Sequence, residues 1–208
     1  MNVLAVLLSL FAFADFSSFS FCRENSRGPF ELQCVQLDAE AKGEVTFRRR
    51  GADTITAAIQ LSPAARDRFT VVLNATGYLK AAETYESGRK VADLGRKRLT
   101  LVTPEGTKEA TYNFSDLKEV TALTAFFETL INQETIGFDL DNAIQFERLS
   151  VPKRLDQIEN ELRSNRIADP DRLILLLEKI EGDQRLMNYA RTQAGRIKKQ
   201  IQAKGPVR

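Results

Sequence analysis

The spacing of apolar residues along the chain changes character near residue 115. Ahead of that point apolar positions alternate with polar ones, as in Phe30, Leu32 and Cys34, then Val45 and Phe47, then Ile55, Ala57, Ile59 and Leu61. A period of two puts one set of side chains on a buried face and the other in solvent, which predicts half-buried strands. Residues 69–73, 78–85, 91–94, 99–102 and 110–114 continue the series, although the Lys, Ala and Glu content of 78–86 also suits a helix. Turn chemistry separates them at Gly51 to Asp53, Thr76 with Gly77, Ser87 with Gly88, and Pro104 to Gly106. Short strands at this spacing, with no helix expected between them, predict an antiparallel meander.

Beyond residue 115 the period lengthens to that of a helix. Ser115 and Asp116 precede Glu119 in capping-box spacing, and Leu117, Val120, Leu123, Phe127, Leu130 and Ile131 keep one face apolar. This helix is expected to pack on the sheet. Residues 135–149 read both ways: Ile136, Phe138 and Leu140 alternate, while Ala143, Ile144 and Phe146 suit a helical turn. Ser150 with Pro152 starts a helix carrying Leu155, Ile158 and Leu162, and Asp169 with Pro170 starts the next, with Leu173 to Leu177 and Ile180. Gly182 ends it. Asp183 then caps a last helix whose stripe is Leu186, Ala190, Ala194, Ile197 and Ile201. The short connections predict three antiparallel neighbours. The expected class is therefore α+β: an N-terminal antiparallel β-meander packed by a helix, followed by a C-terminal antiparallel three-helix segment.

Val3 to Ala14 is apolar except for Ser9 and is followed by a small and polar stretch, the make-up of an export signal. The run is 12 residues long, short of the ~20 that a membrane-spanning helix needs. Two cleavage points fit the small-residue rule, after Ala14 and after Ser20. The second is preferred, because the first leaves a leader of only 14 residues. No Lys or Arg precedes the run, and Arg23 and Arg27 follow it, against the usual charge bias. The expected division is a signal peptide over 1–20, a sheet domain with one packing helix over 21–149, and a helical segment over 150–208.

The 208 residues carry a net charge of only +2, unevenly spread. Residues 1–150 hold 17 basic and 20 acidic groups, residues 151–208 hold 13 and 8, and from residue 184 onward seven basic groups meet no acidic one. On a helical wheel Arg185, Arg196 and Lys199 oppose the apolar stripe of the last helix, with Arg191 and Lys198 on its shoulder. Such a face suits an acidic protein partner or an anionic membrane surface; its bland counterpart is a solvated outer face favoured by the helix dipole. Nucleic acid is not an expected partner. The two cysteines, Cys22 and Cys34, are placed to tie an N-terminal arm to the first strand by a disulfide in an oxidising compartment.

The chain has no histidine and no tryptophan. Imidazole general-base chemistry, the Ser-His-Asp arrangement and histidine-bearing zinc or iron sites are excluded. Asp139, Asp141 and Asn142 resemble the start of a calcium loop, but the glycine and the closing Glu such a loop requires are missing. Gly106, Thr107 and Lys108 lack the earlier glycine of a phosphate loop. Arg48, Arg49 and Arg50 read as a solvated hairpin tip. No catalytic, cofactor-binding or metal-binding residue is expected. The sequence therefore points to an exported, non-enzymatic structural or partner-binding protein. The alternative is a periplasmic or extracellular carrier of an apolar, lipid-like ligand, lined by Phe47, Phe69, Phe114, Phe126, Phe127, Phe138 and Phe146. An enzyme using carboxylates or a lysine stands third.

Overall fold

The computed structural model describes residues 16–25, 27–77 and 85–204. It is α+β, built on a six-stranded antiparallel sheet. The strands are β1 (Ser18–Glu24), β2 (Phe30–Asp38), β3 (Lys42–Arg49), β4 (Thr54–Gln60), β5 (Arg96–Thr103) and β6 (Gly106–Tyr112). Their spatial order is β4-β3-β2-β1-β5-β6. The first four strands form a meander, and β5 then returns to the far side of β1, so the earliest strand lies inside the sheet. Gly51 turns between β3 and β4 with φ of 70°, a backbone angle that costs glycine nothing.

The described residues also form five α-helices: α1 (Pro63–Ala75), α2 (Lys118–Phe146), α3 (Val151–Arg163), α4 (Ile174–Gly182) and α5 (Asn188–Lys204). Helix α1 corrects the expectation of a strand at 69–73 and of an unbroken meander. Ser62 caps α1, its hydroxyl accepting from Ala65 N, Pro63 occupies the first turn, and Ala65, Phe69 and Leu73 recur every four residues into the core. The β-branched residues around Val71 and Val72 obscured that period. The expected strand at 91–94 is irregular, with Val91 and Leu94 exposed. The expected strand at 78–85 lies outside the described residues except for Tyr85, which is irregular.

The ambiguous stretch 135–149 is resolved mainly as helix: α2 runs unbroken for 29 residues, about 43 Å at 1.5 Å per residue, and a short 3-10 turn at Arg148–Ser150 joins it to α3. The expected capping box does not form. Leu117 holds the cap position without a side-chain bond, and the Asp116 carboxylate engages Ser87 and Arg89 instead. The helix serves two cores. Its first half sends Val120, Leu123, Phe127, Leu130 and Ile131 against the sheet and α1. Its second half sends Ile136, Leu140, Ala143 and Ile144 against α3, α4 and α5.

Phe127 is the hub of the first core. Phe19 and Phe21 stack on it at 5.4 and 5.6 Å, and Phe69 meets it edge-on at 5.6 Å. Phe19 belongs to β1, so the cleavage point preferred from sequence, between Ser20 and Phe21, falls within an interior strand paired on both sides. The other point, after Ala14, precedes the strand. Cys22 and Cys34, expected to tie down an arm, are bridged between directly opposed positions of β1 and β2, on the sheet face turned away from the helices.

The two cores are fastened by a polar node. Asp169, fully buried, exchanges main-chain hydrogen bonds with Gln133: its N–H donates to Gln133 Oε1 at 2.7 Å, and its carbonyl accepts from Gln133 Nε2 at 2.8 Å. Asp169 does not cap its own helix. Its Oδ2 accepts from Ser62 N at 2.7 Å, ahead of α1, while Arg172 pairs with Glu134 and donates to the Gln60 carbonyl. Burial raises the Asp169 pKa, against the hydrogen bond from Ser62 and the charge of Arg172.

Candidate functional site

The alternation of an antiparallel sheet carries the site. Register places Ile55, Phe47, Gln33, Arg23, Lys97 and Tyr112 in one row across the strands from β4 to β6, on the face that the helices cover. The next two rows along the strands on this face are mainly apolar, with Phe21 and Leu99 in the nearer and Phe19 and Leu101 in the farther. This row is apolar at the β4 end and polar from β2 to β6. Its polar half faces Thr124 and Glu128 of α2, where a cleft of about 290 Å³ opens to solvent.

Most of the polar groups in the row are spoken for. Arg23 donates through Nε to Gln33 Oε1 at 3.1 Å and through Nη1 to Glu128 Oε1 at 3.0 Å, with a further close contact to Gln33. Thr124 Oγ1 donates to the Val120 carbonyl at 2.7 Å, so its contact with Tyr112 takes the phenol proton, and the Tyr112 oxygen keeps its lone pairs. Burial, with Glu128 adding a smaller push, drives the Tyr112 pKa up to about 12, and the phenol stays protonated through the neutral range.

Lys97 is the exception. It is 5% exposed, lines the cleft, and donates from Nζ to the Asn113 carbonyl at 2.8 Å. Among the described residues no carboxylate comes within ion-pair distance of it, whereas Arg23 and Glu128 pair with each other. Burial lowers its pKa. The charge of Glu128 opposes that shift, Arg23 adds to it, and Glu86 and Asp93 oppose it more weakly. An ammonium removed from water without a counter-ion is costly, and chains rarely keep one without a use.

The rim is built by Asn113, at the end of β6. Its Oδ1 accepts from Leu94 N at 2.7 Å and its Nδ2 donates to the Ala92 carbonyl at 2.9 Å, which holds the irregular 92–94 stretch and the Leu94 side chain at the mouth. Phe114 lines the same cleft, with the Arg89 guanidinium 5.5 Å from its ring centre. A shallower depression continues along α2 from Ala125 and Glu128 to Glu161 and Arg166, whose charges pair at 2.9 Å.

Of the cations expected on the last helix, Arg185 lies in the turn before α5, which starts at Asn188 and not at Asp183, and the others are engaged in different ways. Arg185 pairs with Asp183 at 2.7 Å, and Arg191 donates to the Glu181 carbonyl at 3.1 Å. Arg196 holds both oxygens of Glu159 at 2.6 and 2.8 Å, and Lys198 pairs with Glu181 at 2.6 Å. Lys199 is exposed beside Glu181. The chain answers most of this positive face with its own carboxylates, drawn from α3, α4 and the turn after α4.

Of the aromatic residues proposed to line a greasy cavity, Phe47, Phe69, Phe126, Phe127 and Phe138 pack on one another with ring centres 5.5 to 5.9 Å apart. Phe146 is 78% exposed, and Phe114 belongs to the Lys97 cleft. Asp139 of the calcium-loop lookalike pairs with Arg49, and Asp141 with Lys179. Among the described residues no group of three or more His, Cys, Asp or Glu is arranged to hold a metal ion, and no helix is long and apolar enough to cross a membrane.

Sequence reasoning passed over Lys97, Arg23, Tyr112, Thr124 and Glu128. A signal existed: Lys97 shares the parity of Leu99 and Leu101, and Arg23 that of Phe19 and Phe21, so each is a charge at an inward position. Arg23 escaped because the leader was expected to end at Ser20, which hid β1. The fold and cleft define an α+β protein in which, among the described residues, the buried Lys97 has no carboxylate within ion-pair distance. No family model matches the chain, and no curated protein matches it.

Proposed function

We propose that the chain is an exported, non-enzymatic binding module whose contact site is the cleft between the β5–β6 end of the sheet and α2. The observation that carries it is Lys97, a buried ammonium lining an open cleft with no carboxylate within ion-pair distance among the described residues. A ligand or partner group that brings the missing negative charge gains the interaction without having to displace an internal ion pair. The ion pairs of Arg196 and Lys198, the Arg191 hydrogen bond to the Glu181 carbonyl and the pairing of Arg185 just ahead of α5 make this basic surface a weaker contact candidate than the cleft. The mutual packing of the phenylalanines likewise argues for a solid core over a lipid cavity.

Export is supported by the apolar leader composition and by the Cys22–Cys34 disulfide, a bond that persists in oxidising compartments. Removing residues through Ser20 would take Phe19 out of the core, so processing is proposed after Ala14, with Asp15 as the first residue. Native mass spectrometry of the protein recovered from the exported fraction tests both halves. The expected result is a chain starting at Asp15, two hydrogens lighter than its reduced form, carrying a bound adduct that Lys97→Met loses. A full-length chain with free thiols inside the cell would overturn export, and an adduct-free wild type would overturn binding.

A further inference from the structure

We infer that the cleft selects a small monocarboxylate with a flat apolar body, the carboxylate on Lys97 Nζ and the body between Phe114, Leu94 and Ala125. This rests on the cleft being the binding site proposed above. The charge balance of the lining sets the valence. Arg23 and Glu128 neutralise each other at 3.0 Å, and of the charged lining residues among those described Lys97 remains, so one negative charge completes the set. A second would lie unpaired in the field of Glu128, with Glu86 and Asp93 further out, and is disfavoured.

Hydrogen-bonding capacity sets the head group. Lys97 has three N–H donors and the Asn113 carbonyl takes one, leaving two for a pair of carboxylate oxygens. The Tyr112 oxygen, whose proton goes to Thr124, presents lone pairs and would oppose a second anionic head. Shape and lining set the body. A volume of about 290 Å³ lies at the small end of ligand sites, ~300 to 1,000 Å³, and suits one ring or a short branched chain. Phe114, Leu94 and Ala125 supply apolar surface for it.

The experiment is an NMR titration of the ¹⁵N-labelled, disulfide-intact chain with three probes of one shape: benzoate, benzyl alcohol and benzylammonium, at matched ionic strength. Benzoate is expected to shift the Asn113, Phe114 and Thr124 amides saturably and to bind about tenfold tighter than the alcohol, the ratio one ion pair in a desolvated site supplies. Lys97→Met should remove that preference, and Lys97→Arg should keep part of it. The ranking of the probes on wild-type protein is decisive even if a variant fails to fold. Equal shifts from all three would overturn selection by charge and leave the cleft as a binding site. Tightest binding of benzylammonium would overturn the inference by making Glu128 the determinant. No shift from any probe, with no adduct in the mass spectrum, would remove both the inference and the function it rests on.

Discussion

Two buried charges face α2, and they have opposite circumstances. Asp169 sits where the sheet core meets the helical core. Ser62 N–H donates to its carboxylate, Gln133 holds its main chain and Arg172 lies in its field, so α1, α2 and the 169–172 stretch meet at one residue. Lys97 sits nearer the start of α2 with, among the described residues, one backbone carbonyl as hydrogen-bond partner and a solvent-open cleft at its side. Both shift in pKa because burial disfavours the charged form, Asp169 upward and Lys97 downward. Burial and a shifted pKa therefore do not separate a structural lock from a recognition site. What separates them is access: Asp169 joins two cores through its Oδ2 and main chain and keeps only a buried Oδ1 without a partner among the described residues, whereas Lys97 lines an open cleft.

The sharpest way to break the comparison is to damage the node and watch the cleft. Gln133→Leu strips the Asp169 main chain of both its partners in a buried setting and should cost about 3 kcal/mol in urea unfolding, the scale of unsatisfied buried polar groups. Its benzoate affinity should stay at the wild-type value. A matching loss of affinity would mean that the two places are one coupled system.

Lys97→Met should act in the other direction, raising stability by about 1 kcal/mol near neutral pH, because it removes an ammonium whose desolvation is only partly offset by the Asn113 carbonyl and the field of Glu128. The sign of its pH dependence follows from the lowered pKa. The cost of the buried ammonium is present below the folded-state pKa and fades as pH rises from there toward the ordinary 10.5, where the unfolded chain also gives up its proton. Unfolding curves of wild type and variant should thus converge in alkaline buffer. Loss of stability on removing Lys97 at neutral pH would recast it as a structural residue.

The smallest effect belongs to the last helix. Arg196→Ala should cost roughly 0.5 kcal/mol, since Arg196 is exposed and Glu159 retains Arg163 at 2.7 Å. Binding of the chain to anionic vesicles, measured by co-sedimentation, should be equally slight before and after the substitution. A clear loss of vesicle binding would return the contact surface to α5.

Much of the architecture was legible from period alone. Val45 and Phe47, Ile55 to Ile59, Leu99 and Leu101, and Ala110 alternate in the sequence and sit in strands. The stripes of α3 and α5 and the first half of α2 match their buried faces. The misreadings have local causes. The Phe69 to Leu73 run is β-branched enough to imitate a strand, and Ser62 with Pro63, the start signal of α1, was overlooked. Phe138 and Leu140 alternate by coincidence within a long helix, since Ile136, Leu140 and Ile144 are spaced by four. The site was less legible, because inward parity marks Lys97 and Arg23 as unusual only once β1 is recognised as a strand and β1 is known to lie beside β5.

By itself the sequence determined the α+β class, the helical end, the exclusion of imidazole chemistry and the existence of cationic side chains in excess at the C-terminus. These follow from residue types and from periods of two and 3.6, which are properties of a short window of chain. Tertiary structure alone decided that β1 lies between β2 and β5, and that α2 is shared by two cores. It also decided that Arg196 and Lys198 of α5 meet carboxylates of the chain while, among the described residues, Lys97 does not. The physical reason is that neutralisation happens across space: Glu159 and Arg196 are 37 residues apart and Arg23 and Glu128 are 105 apart, so no local pattern records which charge will find its opposite.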